Sequence, residues 1–126
     1  FNLKSRMKIK RKNRKFKTGI TDIVIKHVAD IKLKNDELIT FKVNNRTEYD
    51  VTRKDWGFYS TPSINKRLLK YGFVSAITHN PYYGTYFMMI VEKNKKKEFI
   101  KYLKSQNMVL IAWLTKKKLD KIKKIL

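Results

Sequence analysis

The sequence predicts an α+β fold, an antiparallel sheet with helices on one face, and three observations lead there. Apolar residues alternate in strand fashion before residue 55 (Ile39, Phe41, Val43, then Tyr49 and Val51) and recur at helical spacing after it (Ile64, Leu68, with Leu69 and Tyr71 beside them) until Gly72. Turn formers at Lys34-Asn35-Asp36, Asn44-Asn45-Arg46 and Asn80-Pro81-Tyr82-Tyr83-Gly84 divide the strand-like runs. A hydrophobic fraction of 42% and an aromatic fraction of 13% in 126 residues are those of one folded domain with appendages.

Residues 1–19 carry too little apolar content to fold alone, and their like charges repel, so they read as an extended basic arm that orders only on a partner. Residues 21–33 alternate imperfectly (Ile23, Ile25, Val28, Ile31, Leu33) and read as a strand or bent strand pair. Leu38 to Val43 and Thr47 to Val51 are two further strands. A helix over 62–71 follows, with Ser60 or Thr61 as N-cap and Pro62 in the first helical position, where its missing N–H is not needed. Phe73 to Thr78 is a strand, and Tyr86 to Val91, the most continuous apolar run, reads as a central, doubly buried one. A helix from about Asn94 carries Phe99, Ile100 and Leu103 on one face, and Met108 to Leu114 is a buried strand. Thr115 caps a last helix with Leu119, Ile122 and Leu126 on one side, a narrow stripe that docks on the core edge or on a partner. From Thr47 to Leu114 this order is β-α-β-β-α-β, the ferredoxin-like order, preceded by a β-hairpin. The expected parts are a basic arm (1–19), an α+β domain (20–114) and a basic C-terminal helix (115–126).

The stretch Asp55-Trp56-Gly57-Phe58-Tyr59-Ser60-Thr61-Pro62-Ser63-Ile64-Asn65 sits at the change of period. Gly57 between two large aromatics suggests a backbone conformation or a close approach that a Cβ would forbid. Buried Trp and Phe are usually packing, so an aromatic core plug around Trp56 is the preferred reading and a ligand loop the alternative.

Charge is the strongest functional signal. The formal net charge is +21, and residues 1–19 hold nine Lys or Arg and no acid. Residues 20–92 hold ten basic against eight acidic side chains, and residues 93–126 twelve against two. A preference for Lys over Arg follows from coding bias, but the loss of acids from both ends does not. Cationic ends on a near-neutral middle suit a polyanion partner, because each phosphate neutralised releases condensed counterions. The chain has no cysteine, which excludes disulfides, thiol catalysis and thiolate metal sites and suits a reducing compartment such as the cytoplasm. It opens on Phe1 rather than Met, which leaves a removed presequence and an organellar setting open. No apolar run approaches the ~20 residues a membrane-spanning helix needs.

Catalysis finds little support. His27 and His79 lie in expected strands without ligand spacing, and there is no Gly-rich phosphate loop, nucleophile elbow or His-x-x-x-His pair. No catalytic residue, metal ligand or cofactor is therefore assigned. Glu48 and Asp50 share a strand face near Asp55, with bonds to Arg53, Lys54 or Arg67 as their expected role. Tyr82 and Tyr83, at a surface loop, are candidates for stacking on nucleobases. No RNP-type pattern marks an RNA recognition motif.

The segments Glu48-Tyr49-Asp50-Val51, Lys54 to Leu68, Tyr71-Gly72-Phe73 and Met89-Ile90-Val91-Glu92-Lys93 resemble a family of small uncharacterised bacterial proteins with a Lys-Asp-Trp-Gly-Phe-Tyr-x-Thr-Pro-Ser-Ile-Asn motif. That resemblance, over about residues 23–114, implies an association with surface-polysaccharide biosynthesis. It brings no established reaction or catalytic residue.

The leading expectation is a non-enzymatic polyanion-binding protein, RNA being favoured, as a component of a ribosome-like particle alongside other proteins. Its phosphate contacts would be Lys8, Lys10, Arg11, Lys12, Arg14, Lys15 and Lys17 in the arm and Lys116, Lys117, Lys118, Lys121, Lys123 and Lys124 in the last helix. The alternative is a sugar-related accessory protein or enzyme using Asp55, Trp56, Tyr59 and Asn65 as a ligand loop. An anionic membrane surface is the weakest candidate partner, because the last helix has a small apolar face.

Overall fold

Eight strands and three helices follow one another along residues 7–19 and 23–126, which the computed structural model describes: β1 (Met7–Thr18), β2 (Ile23–Leu33), β3 (Leu38–Lys42), β4 (Glu48–Lys54), β5 (Gly57–Ser60), α1 (Arg67–Lys70), β6 (Phe73–Asn80), β7 (Thr85–Glu92), α2 (Lys96–Ser105), β8 (Val109–Trp113) and α3 (Lys116–Ile125). The class is α+β, with antiparallel sheets of order β1-β2, β3-β4-β5 and β7-β6-β8. The chain divides into two compact units, residues 1–41 with 50–61 and residues 42–49 with 62–126.

In the first unit the basic segment is not an unpaired arm. Residues 7–18 form β1, paired antiparallel with β2 from Met7↔Leu33 to Thr18↔Ile23. The register breaks once: Arg11 pairs with Ala29 and Arg14 with His27, so Lys12 and Asn13 both stand opposite Val28. This bulge explains why the strand is hard to see in the sequence. Ile9 and Phe16 are an odd number of residues apart and would face opposite ways in a regular strand. The extra residue brings both onto the face of Ile23, Ile25, Ile31 and Leu33. The sheet β3-β4-β5 turns at Asp55-Trp56, with Lys54 paired to Gly57. Gly57 has φ +143° and no atom within 4 Å of where a Cβ would stand, so conformation rather than close approach calls for glycine. Asp50 accepts from Thr40 Oγ1 at 2.6 Å and Lys54 pairs with Asp36, so these groups have partners other than those expected. Among the described residues of this unit no large hydrophobic side chain is fully buried, and Thr52 is the buried one.

The core sits in the second unit, where Leu68, Phe73, Ala76, Val91 and Leu103 are buried. β6, not β7, is the central strand; β7 is an edge, and Tyr86, Phe87 and Met88 are exposed on it. An apolar run reads as buried, but position in the sheet is set by which strands pair. The ferredoxin-like arrangement is not formed, because β4 pairs in a different sheet from β6, β7 and β8. The expected helix over 62–71 shortens to Arg67–Lys70, preceded by turns. Neither Ser60 nor Thr61 caps it: Ser60 ends β5, and Ser63 Oγ accepts from Arg67 N at 3.1 Å. The helix stops at Gly72, whose φ is +92°; a Cβ there would stand 3.2 Å from the Thr47 side chain, too close for comfort. α2 packs Phe99 against Trp113 (5.6 Å between ring centroids) and buries Leu103. Lys95 rather than Asn94 holds its N-cap position, without a side-chain cap bond. Thr115 caps α3 as expected, Oγ1 accepting from Lys118 N at 3.2 Å.

Candidate nucleic-acid interface

The bulge that gathers the apolar side chains of β1 on one face gathers its lysines on the other. Following the register, Lys8, Lys10, Lys15 and Lys17 of β1 share a face with Lys26 and Lys32 of β2. Lys8 stands directly opposite Lys32, and Lys15 opposite Lys26. Like charges directly across an antiparallel pair destabilise it, so these two pairs each carry a local cost, while Lys10 stands opposite Asp30. Among the described residues none of these six lysines has an ion-pair partner. A facing anion would remove that repulsion.

Three of the expected contacts behave differently. Lys12, in the bulge, pairs with Asp30 at 3.2 Å, and His27 Nε2 lies 2.9 Å from the same carboxylate. The hydrogen bond from Lys12, aided by the charges of Lys12 and His27, holds the Asp30 carboxyl below the usual carboxylate range. A depressed carboxyl contributes stability at neutral pH that fades as pH falls through its folded pKa, so this clasp at the bulge loosens only in acid. Arg11 and Arg14 face the apolar side, and the Arg14 guanidinium lies 5.3 Å from the Phe16 ring centre. Sequence reasoning misses Lys26 and Lys32, because they belong to a strand whose neutral neighbours draw no attention; only the register aligns them with β1.

In the second unit α3 presents Lys117, Lys118, Lys121, Lys123 and Lys124 as exposed side chains, while Lys116 pairs with Asp120 at 2.7 Å. Ile122 and Ile125 are exposed too, so the apolar stripe is open rather than docked. The sequence does not single out a second basic cluster that the fold assembles: Lys96, Lys97 and Lys101 of α2 rim a shallow, open groove of about 420 Å³ over Ile100 and Trp113. Lys96 Nζ lies 5.0 Å from the Trp113 ring.

Tyr82 and Tyr83 stand out at the β6–β7 turn, 85% and 73% exposed, their rings edge to face at 4.7 Å. Asn80 Oδ1 accepts from the backbone N–H of both (3.0 and 3.2 Å), which fixes the turn that displays them. Behind them His79 and Tyr86 stack at 4.4 Å.

No family model matches the chain. Neither a curated protein nor a solved structure matches it either.

The alternative ligand loop opens up rather than packing. Trp56 is 68% exposed in the β4–β5 turn, which corrects the expectation of a core plug: a two-residue hairpin turn points its side chains into solvent. Its ring lies 6.2 Å from that of Tyr59. Asp55 is exposed in the same turn, whereas Asn65 belongs to the second unit. Among the described residues no group of three or more His, Asp or Glu side chains is placed to hold a metal ion, and no helix is long and apolar enough to cross a membrane.

Proposed function

We propose that the protein is a non-enzymatic polyanion-binding protein, with RNA as the favoured partner, acting in a cytoplasmic ribonucleoprotein assembly of the ribosome-like kind. The observation that carries this reading is the bulge-phased lysine face of the β1–β2 ribbon. Its six lysines outnumber the one carboxylate on that face, Asp30, which pairs with Lys12 and His27, and such an excess of cations is what phosphate contacts require. The exposed lysines of α3 and α2 add sequence-independent attraction. RNA is favoured over duplex DNA because Tyr82 and Tyr83 are displayed as flat rings, and RNA more often offers unpaired bases to stack on them. The uncovered apolar side chains of the first unit, such as Ile9, Phe16 and Ile25, favour a setting in which other proteins complete it.

A filter-binding titration tests the electrostatic core of this reading. Affinity for a structured RNA is expected to fall about 10³–10⁵-fold between roughly 50 and 200 mM salt, as neutralising six to ten phosphates implies. A flat salt response would overturn it.

One observation favours a second reading. The exposed Trp56 and Tyr59 rings beside Asp55 offer an aromatic surface and a carboxylate of the kind that holds a sugar, in line with the polysaccharide-related alternative.

A further inference from the structure

The charge distribution leaves one stretch out. Residues 71–92 contain no Lys or Arg, in a chain with 31 of them, and Glu92 is their one charged residue. This stretch is the β6–β7 hairpin, and β7 is the edge of its sheet. An edge strand exposes a row of unpaired N–H and C=O groups, and proteins blunt such edges with lysine, proline or a bulge. β7 has none of the three: it pairs with β6 in unbroken register over eight residues, from Asn80↔Thr85 to Phe73↔Glu92. Its outer half is also apolar and open, with Tyr86, Phe87 and Met88 exposed, Met88 at 70%.

We infer that β7 pairs antiparallel with β7 of a second copy of this chain, joining two three-stranded sheets into one of six strands. Two features of the strand select a second copy as the occupant. The first is self-complementarity. A two-fold axis perpendicular to the sheet requires residues on the same face to meet, and an axis through Met88 sets Tyr86 opposite Ile90 and Phe87 opposite Met89. Every pair within the strand is uncharged, and all but Thr85 with Val91 are between apolar or aromatic side chains. Glu92 then falls opposite Gly84, and no like charges meet. The second is the charge of the chain. At +21, two copies repel, and a cation-free strand is where they approach at least cost. The pairing supplies main-chain hydrogen bonds along the strand and covers Tyr86 and Met88.

This interface is independent of the lysine face, and salt separates the two. Screening weakens phosphate binding but relieves repulsion between cationic copies, so dimerisation strengthens with salt while RNA affinity falls. Sedimentation equilibrium on nuclease-treated full-length chain provides the test. A dimer is expected at micromolar concentration, tightening by about tenfold or more as salt is raised from roughly 0.1 to 0.5 M. Met88→Lys places two cations together on the axis and is expected to give a monomer that keeps the parent's circular dichroism spectrum, because the side chain is exposed in the free chain. Tyr82→Ser, at the turn, is expected to leave the dimer intact. A parent that remains monomeric up to about 0.1 mM at high salt would overturn the inference, as would a dimer that Met88→Lys does not weaken. Neither outcome touches the salt dependence of RNA binding.

Discussion

Leu68→Ala is expected to lower the unfolding free energy by about 2–5 kcal/mol, whereas Trp56→Ala is expected to lower it by less than about 1 kcal/mol. Leu68 has no exposed surface, and the helix that carries it is only four residues long. So short a helix has no stability of its own; packing of Leu68 in the second unit holds it, and truncation leaves a cavity with nothing to refill it. Trp56 projects from a two-residue turn, and its loss removes one ring contact with Tyr59 and little buried area. Paired urea melts check both. A Trp56→Ala variant that melts as early as Leu68→Ala would restore the core-plug reading of the corner.

Replacing Lys8, Lys10, Lys15, Lys17, Lys26 and Lys32 together with Gln is expected to cut RNA affinity by about 10³–10⁴-fold near physiological salt and to flatten the salt dependence. The same change is expected to stabilise the ribbon, since the Lys8–Lys32 and Lys15–Lys26 repulsions disappear while the apolar face is untouched. Opposite signs for binding and stability distinguish a contact surface from a structural one. Hydrogen exchange on the β1 and β2 amides, read beside binding titrations, measures both. Lower protection together with lost affinity would mean that the lysines hold the ribbon together instead.

Much of the fold is legible where neighbours in sequence decide the conformation. Alternation marks β2, β3 and β4, the Asn80–Gly84 turn formers place the hairpin between β6 and β7, and Thr115 marks the start of α3. Less is legible where partners distant in sequence decide. β1 is hidden because Ile9 and Phe16 are out of phase until the bulge at Lys12 and Asn13 re-phases them. The apolar run of β7 has the composition of a central strand, yet strand order puts β6 in the centre. Trp56 reads as packing because large aromatics usually are, and its place in a tight two-residue turn reverses that, whereas the positive φ of Gly57 is the special backbone conformation its sequence position suggests. As for the candidate site, the lysines of β1 are visible as a charge run, but their shared face, and the contribution of Lys26 and Lys32 to it, follow only from cross-strand register.

On the proposed reading, the facing of the lysines, and not the net charge, makes the interface. Exchanging neighbours within β1 tests this without altering composition: Ile9→Lys with Lys10→Ile, and Phe16→Lys with Lys17→Phe, keep the charge at +21 but move two lysines to the other face. RNA affinity near physiological salt is expected to fall about 10–50-fold, and the slope of log affinity against log salt to shrink by about two. An exchanged protein that binds with the parent's affinity and slope would show that charge alone, without the ribbon's geometry, accounts for binding.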